Sequence, residues 1–431
     1  MKPQELTLVI AAGGKSSRMG KDKRLLELGG KTLLERILQK GLGVPFKERL
    51  LSVAQNAGQE TTPPSLGEVP RRGGEGSAVT NPDDRSKELR FSNTATLNRG
   101  RHGRSLSAEA LSACPSVSLT LDSSPRGGAV GKEAYHILCD SHPDCGPAEA
   151  LRCALEASPT DWIFFVSADQ PFLDLSVLLA QLCPATQDVV AIVPETQRRQ
   201  YLAGLYHKSL LPELTRGITN GERRLHTLIP EEHTQFISFP PSTHPDALFF
   251  NVNTPADFLL AQGRVANEGR NVPVVTITAP ASNTGKTTFL ERILQRLSDD
   301  GIRAGVVKGD AHGYQFDPEG KDSARFLASG AEAVAVVSPD GYFIEQRTAA
   351  RRDLLDVAAK FDGVDLVLIE SRAHGTFPAL AIWRGLGDKT PPDIAVAQFT
   401  SEPDAEHPPV PVYDINDIDA AVKLVRFLCN M

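Results

Sequence analysis

The sequence predicts an α/β protein built from two nucleotide-binding domains. The chain has 431 residues, a length that favours two or three domains over one. A strand-like apolar run at 6–10 is followed by a glycine- and serine-rich loop and then by a helical pattern. The same order of strand, loop and helix begins again at 274. We therefore expect a first domain at 1–262, a linker at 263–272 and a second domain at 273–431.

The composition excludes several classes of protein. Hydrophobic residues make up 41% and charged residues 23%, which is typical of a globular chain and not of a disordered, collagen-like or rod-shaped one. The formal net charge of −7 gives no general attraction to nucleic acid or to anionic membranes. No run approaches the roughly 18 apolar residues of a membrane span, and the apolar stretch near the N-terminus is too short for a signal peptide. We expect a cytoplasmic protein without a membrane span.

The cysteines agree with that compartment. Six of them are spread along the chain, and no two form a C-x-x-C pair. This spacing indicates neither a disulfide framework nor a zinc site, so we expect reduced thiols.

Strands and helices alternate through the first domain. Apolar residues recur at helical spacing between 33 and 38. After a long interruption, the pattern predicts a strand at 135–140, a helix near 148–157 and a strand at 162–167. The segment 248–260 closes the domain.

The interruption, at about 54–131, has a different character. It is rich in Gly, Pro, Ser and Thr, contains Phe91 as its single aromatic residue, and keeps neither strand nor helix periodicity. Such a segment buries too little apolar surface to offset its ordering entropy. We expect a long, mostly disordered insertion, and a small extra subdomain is the alternative.

The first loop has the residue types of a phosphate site. Residues 11–23 read AAGGKSSRMGKDK. Gly13 and Gly14 allow the backbone to approach a phosphate or a base edge, and the following helix presents its N-terminus to an anion. Arg18 and Lys23 can neutralise a triphosphate and a departing pyrophosphate. A flexible basic turn is the structural alternative.

This string resembles the AGGxSxRMGxDK signature of the nucleotidyltransferase family typified by molybdenum cofactor guanylyltransferase. The resemblance covers about 1–53 and 132–262. Further matches follow in the family's order: Asp140 after a strand, 145–147 at the start of its GPLAG loop, 162–171 for the strand that ends in a metal-binding aspartate, and 221–224 and 250–255 for its late motifs.

The resemblance implies a doubly wound, mostly parallel sheet and transfer of a nucleotide from its triphosphate to the phosphate of molybdopterin, with release of pyrophosphate. Asp169 is the implied ligand of Mg²⁺, and its structural alternative is a helix N-cap. Asn251 and Asn253 are further candidates for contacts with metal or substrate, and Lys23, Arg18 and Asp169 for the catalytic groups. The implied nucleotide contacts are Ala11, Ala12, Gly13, Gly14, Lys23, Asp140 and Asp169.

Two departures from the family pattern leave the accepted base open among guanine, cytosine and adenine. The GPLAG loop reads GPAEA at 146–150, so its second glycine is missing. Ala54 stands where the family has a nucleotide-contacting Asn, although Asn56 lies two residues on. The insertion begins at the same point.

The second domain opens with a phosphate-binding loop. Residues 280–287 fill the frame G-x-x-x-x-G-K-[ST], except that Pro280 replaces the first glycine. The motif predicts that Lys286 reaches the β- and γ-phosphates and that Thr287 ligates Mg²⁺. The predicted nucleotide contacts are Asn283, Thr284, Gly285, Lys286, Thr287 and Thr288. We expect strands at 274–278, 304–308, 333–337 and 366–369, and helices near 289–297, 321–330, 350–360 and 418–428.

The sequence downstream of this loop, at 306–313 and 317–331, resembles that of the molybdopterin-guanine dinucleotide biosynthesis adaptor family. Members of this family are GTP-binding P-loop proteins that assist the guanylyltransferase. Coverage is about 273–400. Asp322 and Glu370 are the implied candidates for binding Mg²⁺ or positioning water, although Ser371 replaces a glycine of the family. His312 is either a nucleotide contact or a plain surface histidine.

Together the two resemblances predict a fused enzyme of cofactor maturation. Its first domain would transfer GMP from Mg-GTP to molybdopterin, and its second would bind GTP. The expected partners are GTP, molybdopterin and the apo-proteins that deliver molybdopterin or receive the cofactor. The alternatives are a cytidylyltransferase or other nucleotidyltransferase, and a non-catalytic, GTP-regulated carrier of molybdopterin.

Overall fold

The computed structural model divides into two compact units, Met1–Asn253 and Thr254–Met431. Each unit has its own sheet. The structure describes residues 1–12, 25–54, 89–91, 95–97, 118–121, 134–140, 146–184, 188–281, 283–309, 322–372, 375–384, 393–402 and 410–431.

The first unit is an α/β sandwich around one large sheet. Its strands are β1 Leu6–Ala11, β2 Glu27–Leu28, β3 Lys31–Thr32, β4 Glu48–Val53, β5 Leu89–Phe91, β6 Ala95–Leu97, β7 Ser118–Leu121, β8 Ala134–Cys139, β9 Trp162–Ser167, β10 Ala191–Glu195, β11 Ala203–His207 and β12 Thr234–Ser238. Its helices are α1 Leu33–Leu42, α2 Pro147–Ala157, α3 Leu175–Leu182, α4 Leu211–Thr219, α5 Leu225–Leu228 and α6 Pro245–Leu248. The sheet order is β12-β10-β11-β9-β1-β4-β8-β7-β5-β6.

The centre of this sheet is parallel and covered on both faces. Strands β9, β1, β4 and β8 run parallel in adjacent positions. Alternate residues of β1 lie in different cores: Leu8 packs in the cluster that includes Leu34 of α1, and Val9 packs in the one that includes Leu151 of α2. Every residue of β1 is buried, as expected for a strand between two helical layers. The predicted doubly wound fold is confirmed.

Part of the insertion has regular structure. The backbone of β7 pairs antiparallel with β8, and β5 pairs antiparallel with both β7 and β6. The expectation of a mostly disordered insertion did not place these strands, because pairing with the edge of an existing sheet supplies hydrogen bonds that the local sequence pattern does not reveal. The rest of the insertion lies outside the described residues.

The second unit is built on a six-stranded parallel sheet in the order β14-β17-β13-β18-β19-β20. Two further strands, β15 and β16, form a separate antiparallel hairpin. The strands are β13 Val274–Thr278, β14 Ala304–Lys308, β15 Ala333–Ser338, β16 Gly341–Gln346, β17 Leu366–Glu370, β18 Ala379–Trp383, β19 Ala395–Thr400 and β20 Val412–Asp414. The helices are α7 Pro255–Ala266, α8 Lys286–Asp299, α9 Asp322–Ala328, α10 Leu354–Ala358 and α11 Ile418–Leu428. None of the helices that the structure describes is both long and apolar enough to cross a membrane.

The boundary between the units differs from the expected linker at 263–272. Helix α7 belongs to the second unit, where a Cβ added to Gly263 would lie 2.8 Å from Cδ2 of Leu428 in α11. Asn267 is buried, and its amide donates to the carbonyls of Val274, at 3.0 Å, and Leu428, at 2.9 Å. The polar composition of this stretch suggested a linker, but the Asn267 side chain connects the end of α7 to β13 and to α11 of the second unit by hydrogen bonds.

Candidate active site and P-loop site

The first candidate site lies at the carboxyl edge of the central strands of the first unit. Because β9, β1, β4 and β8 are parallel neighbours, the residues that follow them come to the same edge. Ala11 ends β1 and Ala12 follows it, and both are buried. The Ala12 N–H donates to the carbonyl of Ser52 at 2.8 Å, and the Ala168 N–H donates to that of Ala11 at 3.0 Å. The start of the glycine loop is thus tied to the strands on both sides.

Asp140 is a buried carboxylate at this edge. It follows β8, is 2% exposed, and accepts a hydrogen bond from the Ser52 hydroxyl at 2.6 Å. Burial raises the pKa of Asp140 from 3.8 to about 6, although the hydrogen bond from Ser52 opposes the rise. The carboxylate is therefore ionised at neutral pH at a cost in desolvation, and a pKa shifted in this way marks Asp140 as a candidate functional residue.

Asp169 stands two residues beyond β9 and is partly exposed. Its Oδ1 accepts a hydrogen bond of 2.6 Å from the Ser167 hydroxyl, which orients the carboxylate. The Val252 N–H donates to the Asp169 carbonyl at 2.9 Å. This bond brings the segment with Asn251 and Asn253 to the backbone of Asp169, so the structure gathers the three predicted residues in one place.

The edge fits a magnesium ion that is bound partly through its substrate. Among the described residues there is no cluster of three or more His, Cys, Asp or Glu that could hold a metal. Mg²⁺ in nucleotide sites commonly uses one or two carboxylates, with water and phosphate oxygens completing its shell. The partly exposed, oriented carboxylate of Asp169 suits that arrangement.

A buried ion pair next to Asp140 was missed by the sequence analysis. Glu149, fully buried in α2, accepts two hydrogen bonds from Arg152, at 2.8 and 2.9 Å. Arg152 also bonds Glu156 at 2.9 Å. The negative charge of Glu149 adds to the rise in the pKa of Asp140, and the positive charge of Arg152 opposes it. The signal that could have revealed the pair is an acid and a base three residues apart in an otherwise small and apolar helix.

Several expectations for this site fall on residues outside the described ones: Gly13, Gly14, Arg18, Lys23 and Asn56. The expectation of reduced cysteines is wrong at one position. Cys139 is disulfide-bonded, whereas Cys153, Cys183 and Cys429 are free thiols. Such a pairing depends on spatial proximity, which the spacing of the cysteines does not reveal.

The loop after β13 has the local geometry of a phosphate cradle. Asn283 and Gly285 both have positive φ angles, of 58° and 86°. Asn and Gly are the residues that adopt this left-handed region most readily, so the sequence suits the turn. Thr284 is 2% exposed. Gly285 is the N-cap of α8, and Lys286, Thr287 and Thr288 form its first turn, where unpaired N–H groups favour an anion.

The structure brings the predicted metal-site residues Thr287 and Glu370 together. The Thr287 hydroxyl donates to Glu370 Oε1 at 3.1 Å, and Glu370 ends β17, the strand beside β13. Lys286 Nζ donates to the Ala281 carbonyl at 3.2 Å. Burial lowers the pKa of Lys286; Glu370 opposes this effect, and Arg372 and Lys308 add to it.

Asp322 is not brought to this pair. It begins α9, its side chain is 82% exposed, and it forms an ion pair of 3.5 Å with Arg325. His312 lies outside the described residues.

Two α/β units, one with carboxylates at the carboxyl end of a parallel sheet and one with a P-loop-like sequence before a helix, are typical of nucleotide-binding proteins. Comparison with known proteins names the families. A model described as MobA-like NTP transferase domain matches residues 8–75 and 97–235. A second, described as molybdopterin guanine dinucleotide synthesis protein B, matches residues 274–398.

Individual relatives agree with both matches. The molybdenum cofactor guanylyltransferase of Vibrio cholerae is 31% identical over 124 residues, which are 28% of this chain and 59% of that protein. The probable molybdopterin-guanine dinucleotide biosynthesis adapter protein of Bacillus subtilis is 34% identical over 160 residues, which are 34% of this chain and 88% of that protein. The crystal structure of Bacillus subtilis MobB has 28% sequence identity, covers 36% of this chain and 97% of its own, and gives a TM-score of 0.29.

Through its second unit the chain belongs to the molybdopterin guanine dinucleotide synthesis protein B family, and its first unit is similar to MobA-like NTP transferase domains. Both family resemblances predicted from the sequence are thus confirmed. The chain spans about three fifths of the length of the first guanylyltransferase relatives, 59% for Vibrio cholerae and 64% for Deinococcus radiodurans.

Proposed function

We propose that the first unit is a molybdenum cofactor guanylyltransferase, which transfers GMP from GTP to molybdopterin and releases pyrophosphate. The observation that carries the proposal is the position of two aspartates at the carboxyl end of the parallel strands. Asp169 follows β9 and Asp140 follows β8, the strands that flank the central pair β1 and β4. The names of the relatives supply the substrates. We further propose that the second unit binds GTP through the loop at 280–288 and that the protein works in the cytoplasm.

The reaction divides among groups of this chain. Asp140, ionised at neutral pH, is an acceptor for N–H groups of the base, and the buried backbone at Ala11 and Ala12 forms the floor beneath the nucleotide. Arg18 and Lys23 balance the charge of the triphosphate and of the departing pyrophosphate. Asp169, oriented by Ser167, holds Mg²⁺. When bound, that ion neutralises the phosphate charge that builds up in the transition state.

Thr287 and Glu370 would hold Mg²⁺ in the second unit, where their oxygen atoms already lie within hydrogen-bond distance. Lys286 is the cation for the β- and γ-phosphates. Burial is the main cause of the lowered pKa of Lys286, and the positive charges of Arg372 and Lys308 add to it; a bound anion would favour the charged form of this lysine.

The decisive experiment measures pyrophosphate release and product mass, using the purified full chain, Mg²⁺, molybdopterin and each nucleoside triphosphate in turn. We expect a guanine dinucleotide product from GTP alone. A product from CTP alone would support the nucleotidyltransferase mechanism and show that the accepted base is cytosine. GTP binding without product from any nucleotide would replace the transferase by a molybdopterin carrier.

A matched pair of variants tests the role of Asp169. Asp169→Ala should reduce turnover by at least about 10³-fold, because it removes the proposed metal ligand and leaves the strand in place. Asp161→Ala removes an exposed carboxylate that immediately precedes the same strand, at the opposite edge of the sheet, and should leave turnover unchanged. Equal turnover in the two variants would contradict the metal role.

A further inference from the structure

An arginine outside the P-loop motif lies against that loop. Arg384 directly follows β18, the strand on the other side of β13 from β17. The strand register pairs Thr278 with Ala381, so Arg384 comes three residues later, at the level of the loop. A Cβ atom placed on Gly285 would lie 3.3 Å from Nη2 of Arg384 and 3.7 Å from its Cζ. The guanidinium is thus in contact range of the loop backbone.

The position is unfavourable for a cation unless an anion joins it. Gly285 is the N-cap of the 14-residue helix α8, whose N-terminus carries partial positive charge. Lys286 follows directly, and Lys308 and Arg372 contribute positive charge to the same place. Glu370 is the described carboxylate that offsets them, and its Oε1 already accepts from Thr287.

Arg384 also lacks the partner that an exposed arginine usually finds. Within the part of the chain that the structure describes, it makes no hydrogen bond and no ion pair. Some exposed arginines of this unit do have an acidic partner, such as Arg303 with Asp365 at 2.8 Å and Arg296 with Asp419 at 3.2 Å, whereas Arg351 and Arg352 share with Arg384 the lack of one among the described residues. Five N–H donors therefore stand free at the mouth of the loop.

We propose that Arg384 binds the phosphate chain of the nucleotide in the P-loop of the second unit, approaching from the side of β18, opposite Glu370. The planar guanidinium donates two parallel hydrogen bonds to phosphate oxygens more readily than an ammonium does. Gly285 lies in the part of a P-loop that wraps the α- and β-phosphates. Arg384 is accordingly a binding residue for GDP as well as for GTP. The inference rests on the proposed nucleotide site and adds a ligand that the motif does not contain.

Trp383, the neighbour of Arg384, provides a local probe. The chain has two tryptophans, Trp162 in the first unit and Trp383 in the second. In a Trp162→Phe background, energy transfer from Trp383 to GTP labelled with methylanthraniloyl on its ribose reports nucleotide near the P-loop. The part of that signal that Lys286→Ala abolishes defines the P-loop site, and unlabelled GTP and GDP compete for it.

We expect Arg384→Ala to lower the affinity for GTP and for GDP by about 10- to 100-fold. Arg384→Lys should recover part of that affinity, because it restores the positive charge. Arg303→Ala removes an equal charge before β14, at the opposite edge of the sheet, and should leave the affinity within about twofold. Unchanged affinity in Arg384→Ala would overturn the inference alone. A signal that Lys286→Ala does not reduce would overturn the proposed site itself. Should Arg384→Ala lower the unfolding midpoint, the lysine variant decides, because a purely structural role predicts recovered stability without recovered affinity.

Discussion

The carboxylate of Asp140 makes the stability of the first unit depend on pH in a direction opposite to that of most aspartates. Burial raises its pKa from 3.8 to about 6, whereas a salt-bridged aspartate would have a lowered pKa. Between these two values the folded chain binds more protons than the unfolded chain. The free energy of unfolding therefore falls as the pH rises through this window, and the penalty is complete above about pH 6.

The substitution Asp140→Asn removes this titration while keeping the shape of the side chain and an oxygen that can accept from Ser52. A rise from 3.8 to about 6 corresponds, at 1.36 kcal/mol per pKa unit, to about 3 kcal/mol. Because about 0.4 of these pKa units is already lost at pH 4, the difference in unfolding free energy, variant minus native, should grow by about 2.4 kcal/mol from pH 4 to pH 7. All other titrating groups are common to both proteins, so the difference isolates Asp140.

Urea unfolding followed by the fluorescence of Trp162 measures this quantity. Trp162 is buried in β9, and a Trp383→Phe background removes the signal of the second unit. Asp161→Asn, an exposed carboxylate just before β9, is the control and should show no pH-dependent difference. If the difference in unfolding free energy between Asp140→Asn and the native protein stays constant from pH 4 to pH 7, the raised pKa of Asp140 is refuted.

Three further predictions concern single contacts. Glu370→Gln should reduce about tenfold the factor by which Mg²⁺ increases the affinity for GTP. The affinity in EDTA should stay equal or rise, because a negative charge near the phosphates is lost. Titrations with Mg²⁺ and with EDTA measure both quantities. Thr254→Ala should destabilise the second unit by about 1 kcal/mol, since its side chain accepts from the Asp257 N–H in a capping box; unfolding followed by Trp383 measures it, and no change would contradict the assignment of α7 to that unit. Gly41→Ala should cost about 1–3 kcal/mol, because its Cβ would overlap the Tyr135 hydroxyl under α1, and Trp162 fluorescence reports the loss.

The elements that the sequence predicted well are those whose signal is local. The strand Leu6–Ala11 is apolar at five of its six positions, and the loop before α8 is recognisable from its residue types. The start of α7 also has a local signal, the N-terminal cap formed by Thr254, Pro255 and Asp257, although our prediction for 248–260 was only that this segment closes the first domain. Even that signal would not have assigned α7 to the second unit, because a cap does not tell which sheet a helix packs against.

Features that depend on pairing across the chain were beyond the sequence. The bond from Ser52 to Asp140 joins residues 88 positions apart and exists because β4 and β8 are neighbours in register. Arg384 carries no motif, and it reaches Gly285 only because β18 lies beside β13. Local periodicity contains no information on either adjacency, so these residues emerge from the sheet order alone.

The pairing of β7 with β8 bears on how the first unit could be shortened. A deletion of the whole of 54–131 would remove β7 and leave the backbone donors and acceptors of one side of β8 unpaired. An open strand edge of this kind recruits strands from other molecules, so the shortened protein should self-associate as its concentration rises. A deletion that spares all of 89–121 keeps β5, β6 and β7, so the sheet retains its original edge strand and the protein should remain monodisperse under the same conditions.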